Sequence, residues 1–542
     1  MEIQTVKKLE KEAIKTSGVD FMRLGFALFF MVAVMTYSFL STGGVTNNMF
    51  LAIAALFGAY MAMNIGANDV ANNVGPAVGS KALTLGGAIV IAAIFEAAGA
   101  LIAGGEVVST IKKGIIDIHA FQDVHVFIWA MMAALLAGAI WLNFATAVKA
   151  PVSTTHSIVG GVMGAGIAAA GFSVVAWGTM GKIAASWIIS PVLGGIIAAA
   201  FLYAIKSTMV FKGDKIAAAK KWVPVFVAIM TWAFVTYLTL KGLKHVWPSI
   251  VSVLSFLPDT KKPTFAVASI LGIIIALGVY VLIKGTVTKA AEKMENTRAG
   301  VNALFTIPLI FAAALLSFAH GANDVANAVG PLAAINDAVI NGGISAKAGI
   351  PIWVMAVGAL GIAIGLALYG PKLIKTVGSE ITELDQMRAF SVAMAAAITV
   401  IIASQLGLPV SSTHIAIGGV FGVGFLREYL DGTKLKDTIS HEEEVVQDEK
   451  KLLKAYHSEL EDIQSKKDKS KKDYERIVDL YKLIDEEEAK LKTAKKHLKT
   501  AQKTKYVKRD AVKKIIAAWI ITVPAAAILS AGIFFMIRGI LV

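Results

Sequence analysis

Residues 66 to 76 read Gly66-Ala67-Asn68-Asp69-Val70-Ala71-Asn72-Asn73-Val74-Gly75-Pro76, and residues 321 to 331 repeat them with one change, Ala328 for Asn73. Each copy sits among apolar residues, where an aspartate at the centre of a membrane helix costs about 3 kcal/mol and marks a functional site. A second duplicated motif follows each copy: Pro151-Val152-Ser153-Thr154-Thr155-His156, then Pro409-Val410-Ser411-Ser412-Thr413-His414. Any fold for this chain must bring two copies of the same polar chemistry into an apolar interior.

That interior is a membrane. Mean hydropathy is +0.67 and 56% of residues are apolar, outside the range of soluble globular chains. Apolar runs long enough to cross a bilayer fall at 21–41, 50–66, 83–104, 127–147, 151–172, 183–205, 223–240, 265–284, 303–319, 350–370, 389–406, 410–427 and 513–538. They are continuous and do not alternate, which excludes a β-barrel and predicts an all-α polytopic membrane protein. The net charge of +14 is concentrated between these runs, as the positive-inside rule requires, so nucleic acid is not an expected partner. With no cysteine, disulfides and thiolate metal sites are excluded. The charged first 20 residues lead into an apolar run without a cleavage motif, which predicts a retained first span.

Lys7, Lys8, Lys11 and Lys15 place the N-terminus in the cytoplasm, and counting spans from there leaves the C-terminus outside. The loop carrying Lys241, Lys244, Lys261 and Lys262 then falls outside, against the charge bias. On the same count the two aspartate motifs are entered from opposite sides. That predicts an inverted-topology repeat with discontinuous helices around a midplane site, a design of secondary transporters. The expected organisation is residues 1–49 as a cytoplasmic N-terminus and extra first span, 50–205 as the first repeat and 206–302 as connecting scaffold helices. The second repeat follows at 303–430, a charged segment at 431–512 and a last span at 513–542. In 431–512, Ile477, Ile484, Leu491 and Leu498 recur every seven residues. The period predicts a cytoplasmic antiparallel coiled-coil hairpin turning near Lys466 to Lys472, against the plainer alternative of one solvated helix.

The hydroxyl triplets Ser153-Thr154-Thr155 and Ser411-Ser412-Thr413 each follow a proline and open a glycine-rich run, a helix-start signature. Unpaired N–H groups, the helix dipole and three hydroxyls form a neutral cradle for a tetrahedral oxyanion. Ordinary N-capping is the alternative, and duplication favours the cradle. Asp69 and Asp324, with Asn68, Asn72, Asn323 and Asn327, offer hard oxygen ligands suited to a hard cation. Two carboxylates repel an anion unless cations lie between, so the pattern predicts an anion bound together with cations. His156 and His414 read either as orienting hydrogen-bond partners or as proton relays or metal ligands. Glu96, in an apolar run, reads either as a coupling group or as the partner of a nearby hydroxyl. Aligning Ala98-Gly99-Ala100-Leu101 with Val357-Gly358-Ala359-Leu360 puts Met355 opposite it.

Taken together, the two GANDVAN motifs and the two Pro-Val-Ser-Ser/Thr-Thr-His motifs resemble the inorganic phosphate transporter (PiT) family, over about residues 50 to 430 and the last span. The resemblance implies a homodimeric, non-enzymatic plasma-membrane carrier importing inorganic phosphate by cation symport, usually with sodium, through alternating access. It implies phosphate contacts at Ser153, Thr154, Thr155, Ser411, Ser412 and Thr413. Cation- and phosphate-linked positions fall on Asn68, Asp69, Asn72, Asn323, Asp324 and Asn327, with sodium at Asn68, Asp69, Asn323 and Asp324. Glu96, His156 and His414 are accessory candidates, and no cofactor is expected beyond cotransported sodium. Sulfate or proton-coupled metal-phosphate symport is the neighbouring alternative. An intramembrane metal-dependent hydrolase built on His156, His414 and the two aspartates is the remote one.

Overall fold

The computed structural model describes residues 3–148, 150, 152–244, 246–254, 257–343, 349–380, 384–503 and 509–542. Pro151, which opens the first hydroxyl motif, lies outside them, as do the side chains of Lys7, Lys8, Lys11 and Lys15. The chain begins with α1 (Ile3–Ser41), α2 (Asn48–Asn68), α3 (Val70–Gly79), α4 (Leu85–Ala103), α5 (Gly105–Lys113) and α6 (Val124–Ala147). Then come α7 (Thr154–Ala170), α8 (Trp177–Ile205), α9 (Lys215–Gly242), α10 (Trp247–Val253), α11 (Phe265–Ala291) and α12 (Arg298–Leu304). The last are α13 (Thr306–Asn341), α14 (Ile352–Glu380), α15 (Gln386–Gln405), α16 (Ser412–Ser465), α17 (Lys471–Lys503) and α18 (Arg509–Leu541). Polar residues at the ends of apolar runs start several of these helices. The side chains of Thr84, Asp214, Thr264, Thr297 and Asp385 each accept from the N–H three residues on.

Among the described residues, 11 helices are long and apolar enough to cross a bilayer. Two of the thirteen runs read from the sequence do not stand as separate spans. The run at 151–172 becomes α7, whose 17 residues reach about 25 Å, short of the roughly 30 Å hydrocarbon core. The run at 410–427 is the apolar start of α16, which meets charge at Arg427 and Glu428. α1 buries few side chains beyond Ala27, Val34 and Ser38, as a peripheral helix does.

The two aspartate motifs fold differently. At the first, α2 ends at Asn68 and α3 starts at Val70, with the Asn72 N–H bonded back to the Asp69 carbonyl in one tight turn. At the second, α13 runs unbroken from Thr306 to Asn341. The expected interruption is absent there, because Pro331 deletes a single backbone donor and the motif's polar side chains turn to other helices instead of competing for the backbone.

Glycines set how closely these helices approach. A Cβ on Gly66 would lie 1.9 Å from the Ile362 carbonyl oxygen of α14, and one on Gly321 would lie 2.1 Å from that of Glu96 in α4. The contacts are reciprocal, Gly365 meeting the Met63 carbonyl and Gly99 that of Phe318. The matched geometry puts Ile362 opposite Glu96, two turns from the Met355 that the sequence alignment suggested. Met355 packs instead against Gly104. The hydroxyl helices follow the same rule: Gly164 of α7 abuts the Ala527 carbonyl of α18, and Gly422 of α16 abuts that of Gly195 in α8. The last helix therefore stands to α7 as α8 stands to α16.

Residues 424–508 form a separate compact unit. Within it Leu460, Ile463, Leu480 and Ile484 make one apolar cluster, and Val446, Leu491 and Ala494 make a second. Arg476 clasps Glu459 through two hydrogen bonds of 2.8 and 3.0 Å. At the connection between the helices, hydrogen bonds from Lys466 and Ser470 hold the Asp473 carboxyl below its ordinary range.

The close approach of α14 to α2 predicts that Gly365→Val prevents assembly of the bundle, whereas Gly285→Ala, with nothing within 4 Å of its Cβ, is silent. Size-exclusion profiles of the two detergent-extracted variants check this, and a normal profile for Gly365→Val would refute it.

Candidate functional site

The site forms where the first turns of α7 and α16 meet the two aspartate motifs. Ser153 and Ser411 act as N-caps, their hydroxyls accepting from the His156 and His414 N–H groups at 3.1 and 3.2 Å. For these two serines the capping reading holds. The next hydroxyls point at the carboxylates. Thr154 Oγ1 donates to Asp69 Oδ2 at 2.6 Å and lies 3.3 Å from Asp324 Oδ2, bridging the pair. Thr413 donates to Asp69 Oδ1 at 2.8 Å and Ser412 to Asp324 Oδ2 at 3.2 Å. Thr155 donates to the Val410 carbonyl at 2.9 Å, tying the first hydroxyl turn to the second.

Carboxamides support the hydroxyls from behind. Asn72 donates to Thr413 Oγ1 at 2.9 Å, and Asn327 donates to Thr154 and Thr155 Oγ1 at 3.0 and 3.2 Å. Each motif thus reaches across to the hydroxyl turn of the other half. Asn68 donates to Thr146 Oγ1 at 2.9 Å, and Asn323 lies 3.2 Å from Ser404 Oγ in the equivalent place. The side-chain oxygens of Asn68, Asn72 and Asn327 are buried with no donor facing them. Unpartnered buried oxygens beside carboxylates are acceptors open to a donor or a cation.

Glu96 belongs to the same network through a residue that sequence reasoning missed. His320 places Nδ1 2.6 Å from Glu96 Oε2 and Nε2 3.0 Å from Asp324 Oδ2, all fully buried. The Nδ1 contact is a hydrogen bond, while Nε2 stands at ion-pair distance from Asp324 without hydrogen-bond geometry, so the imidazole joins the two carboxylates in one cluster. Asn73 donates to the other Glu96 oxygen at 2.8 Å. The signal was the residue directly before Gly321, a histidine in an apolar run where the first copy has Ile65. One ligand atom from each of Asp69, His320 and Asp324 falls within a 4.8 Å span, a spacing that could hold an ion.

His156 and His414 do not orient the hydroxyls. Their rings face away and touch edge to face, with centroids 4.5 Å apart. His156 packs on Trp187 at 3.8 Å and His414 stacks on Trp519 at 3.6 Å. Large apolar rings on α8 and α18 pull the imidazoles out of the polar site, and no triplet hydroxyl bonds to them. A hydrolase reading that needs both histidines beside the aspartates loses its geometry.

Comparison with known proteins places the chain among phosphate carriers. A protein described as a phosphate permease in Helicobacter pylori is 48% identical over 546 residues, covering 98% of each chain. A protein of Pyrococcus abyssi with the same description is 40% identical over 379 residues, 70% of this chain and 89% of its own. A solved structure described as the sodium-dependent phosphate transporter superposes with a TM-score of 0.71 at 29% identity, covering 91% of this chain and all of its own. Permeases and transporters are not enzymes, and this chain transports phosphate across a membrane. The sequence model of the Phosphate transporter family matches residues 65–530, and the chain belongs to that family.

Proposed function

We propose that the protein imports inorganic phosphate together with sodium by alternating access. One observation carries the reading: two buried carboxylates, Asp69 and Asp324, share the Thr154 hydroxyl among oxygen ligands. Ligand atoms of the pair lie within 4.8 Å, so their repulsion when both are ionised is at least about 3 kcal/mol at an effective dielectric near 20. A phosphate brought to them adds to it. Sodium ions at Asn68, Asp69, Asn323 and Asp324 relieve that charge, and Asn68 brings an unpartnered carboxamide oxygen to it. Thr154, Thr155, Ser412 and Thr413 then turn their hydroxyl protons to phosphate, while Ser153 and Ser411 fix the helix N-termini beneath it. Sodium coupling also answers the electrical problem of moving an anion into a negative interior. The sodium-dependent character of the structural neighbour supports the choice over protons.

Alternating access is supported by the burial of the site: Asn68, Asp69, Thr154, Thr155, Asp324 and Thr413 are each at most 1% exposed, so ligand exchange requires helices to move. The matched contacts of the two motif copies support a two-fold repeat of 50–205 and 303–430, to which α18 is the natural completion. We read it as inverted, with α6 and α7, and α15 and the start of α16, each a hairpin that enters and leaves by one face; the Asp117 N–H to Val174 carbonyl bond joins the start of α6 to the end of α7 in that manner. We place the protein in the plasma membrane with its N-terminus in the cytoplasm, its C-terminus outside, and 431–512 as a cytoplasmic coiled-coil hairpin, in a homodimer.

Asp69→Asn and Asp324→Asn are each expected to lower sodium-driven uptake more than about thirtyfold, since removing one partner of a buried charge pair costs about 2 kcal/mol or more. Radiolabelled phosphate and sulfate uptake into proteoliposomes under an imposed sodium, proton or no gradient measures this. Sodium-driven uptake by both variants at the normal rate would sink the proposal, and uptake driven by protons alone would redirect it. His320→Gln and Glu96→Gln should be strongly non-additive, with a coupling of about 1–3 kcal/mol in a double-mutant cycle of uptake rates, because each removes the other's partner.

A further inference from the structure

We propose that the cavity between α9, the start of α11 and the end of α15 binds one anionic phospholipid. Its volume is about 880 Å³, within the range of about 300–1,000 Å³ that encloses a drug-sized molecule. The two ends differ in chemistry. One wall is apolar, built from Ile229, Trp232, Ile398 and Ile402, and suits acyl chains. The other end gathers Lys261, Lys262 and Gln405. Gln405 Nε2 has no hydrogen-bond partner, whereas the Thr236 hydroxyl is turned against Gly272 of α11. An unpartnered amide beside two cations indicates a place for an acceptor.

The lysines point to the same ligand. Of the four that break the positive-inside pattern, Lys241 and Lys244 both pair with Glu106. Among the described residues, no carboxylate pairs with Lys261 or Lys262, which stand exposed at the cavity. Two ammonium groups beside the unpartnered Gln405 amide at the rim of an apolar cleft match a phosphate headgroup with its chains below. A second copy of this chain fits poorly, because a two-fold contact here sets the same cations against each other. The site also adjoins the transport machinery in sequence: Gln405 follows Ser404, the neighbour of Asn323, and precedes the Ser411 turn.

The test uses the full chain in zwitterionic detergent micelles, titrated with phosphatidylglycerol or phosphatidylcholine carrying brominated acyl chains, and reads tryptophan fluorescence. Phosphatidylglycerol is expected to quench saturably and phosphatidylcholine not at the same mole fraction, with the saturable component absent in Trp232→Phe. The Lys261→Ala/Lys262→Ala variant, altered only at exposed positions, should bind about 30-fold more weakly, from the attraction of two surface lysines for an anionic headgroup. Equal quenching by both lipids would overturn the proposal in favour of ordinary boundary lipid. Displacement by inorganic phosphate would overturn it in favour of a free-anion site. Protection of Trp232 that grows with protein concentration would overturn it in favour of a second copy.

Discussion

The Thr154 hydroxyl between Asp69 and Asp324 is the contact on which the rest of the arrangement depends. Two carboxylates buried this close cannot be tolerated without donors, and the interior of an apolar bundle offers few. The chain meets the need with the hydroxyls of Thr154, Ser412 and Thr413, delivered by the first turns of α7 and α16, where backbone N–H groups are also unpaired. Getting those turns there demands that α2, α4, α13 and α14 pack at backbone distance, which is why glycines stand where any side chain would collide. The packing follows from the electrostatics of the centre.

The site is nearly symmetric, and its asymmetry lies in one chain of contacts. The motif copies differ at Asn73 against Ala328. Their flanking positions differ at His320 against Ile65, and their packing partners at Glu96 against Ile362. These three departures form one line of hydrogen bonds and ion contacts, Asn73 to Glu96 to His320 to Asp324. Asp324 therefore has an ionisable partner from within the protein, while Asp69 is held by hydroxyls alone. On the proposed cation coupling, Asp69 is therefore the carboxylate that depends more on the transported cation.

Much of this was legible in the sequence because the polar residues repeat. Duplication picked out Asn68, Asp69, Asn72 and their second-copy equivalents, together with both hydroxyl triplets, and the structure brings all of them to one place. What the repeat could not reveal was whatever breaks it. His320 lies one residue beyond the motif and has no counterpart, and a comparison of like with like discards it. The partner of Glu96 was misplaced by two turns because the apolar runs of α4 and α14 offer many equivalent alignments of Gly and Ala. Only the backbone contacts at Gly99 and Gly365 select one. The histidines after the triplets misled for a different reason. Sequence adjacency put them beside the site, but successive residues of a helix point some 100° apart, and Trp187 and Trp519 hold them on the far face.

These contacts also limit how such a site can open. The helix pairs α2 with α14, α4 with α13, α7 with α18 and α8 with α16 meet through glycines against carbonyl oxygens, and such surfaces cannot slide without collision. Between the pairs, apolar packing such as Gly358 on Val325 and Val329 is joined by contacts of another kind: Asn72 to Thr413, Asn327 to Thr155, and Thr155 to the Val410 carbonyl are hydrogen bonds that water or an anion can replace. A motion that admits ligand while keeping the close-packed pairs whole must break bonds of this second kind, and those are the bonds made by the residues proposed to face the ligand. On that proposal, binding and opening draw on the same hydroxyls: one committed to phosphate would no longer tie the two halves together, and a cation on Asp69 would weaken the hold of that carboxylate on Thr154 and Thr413.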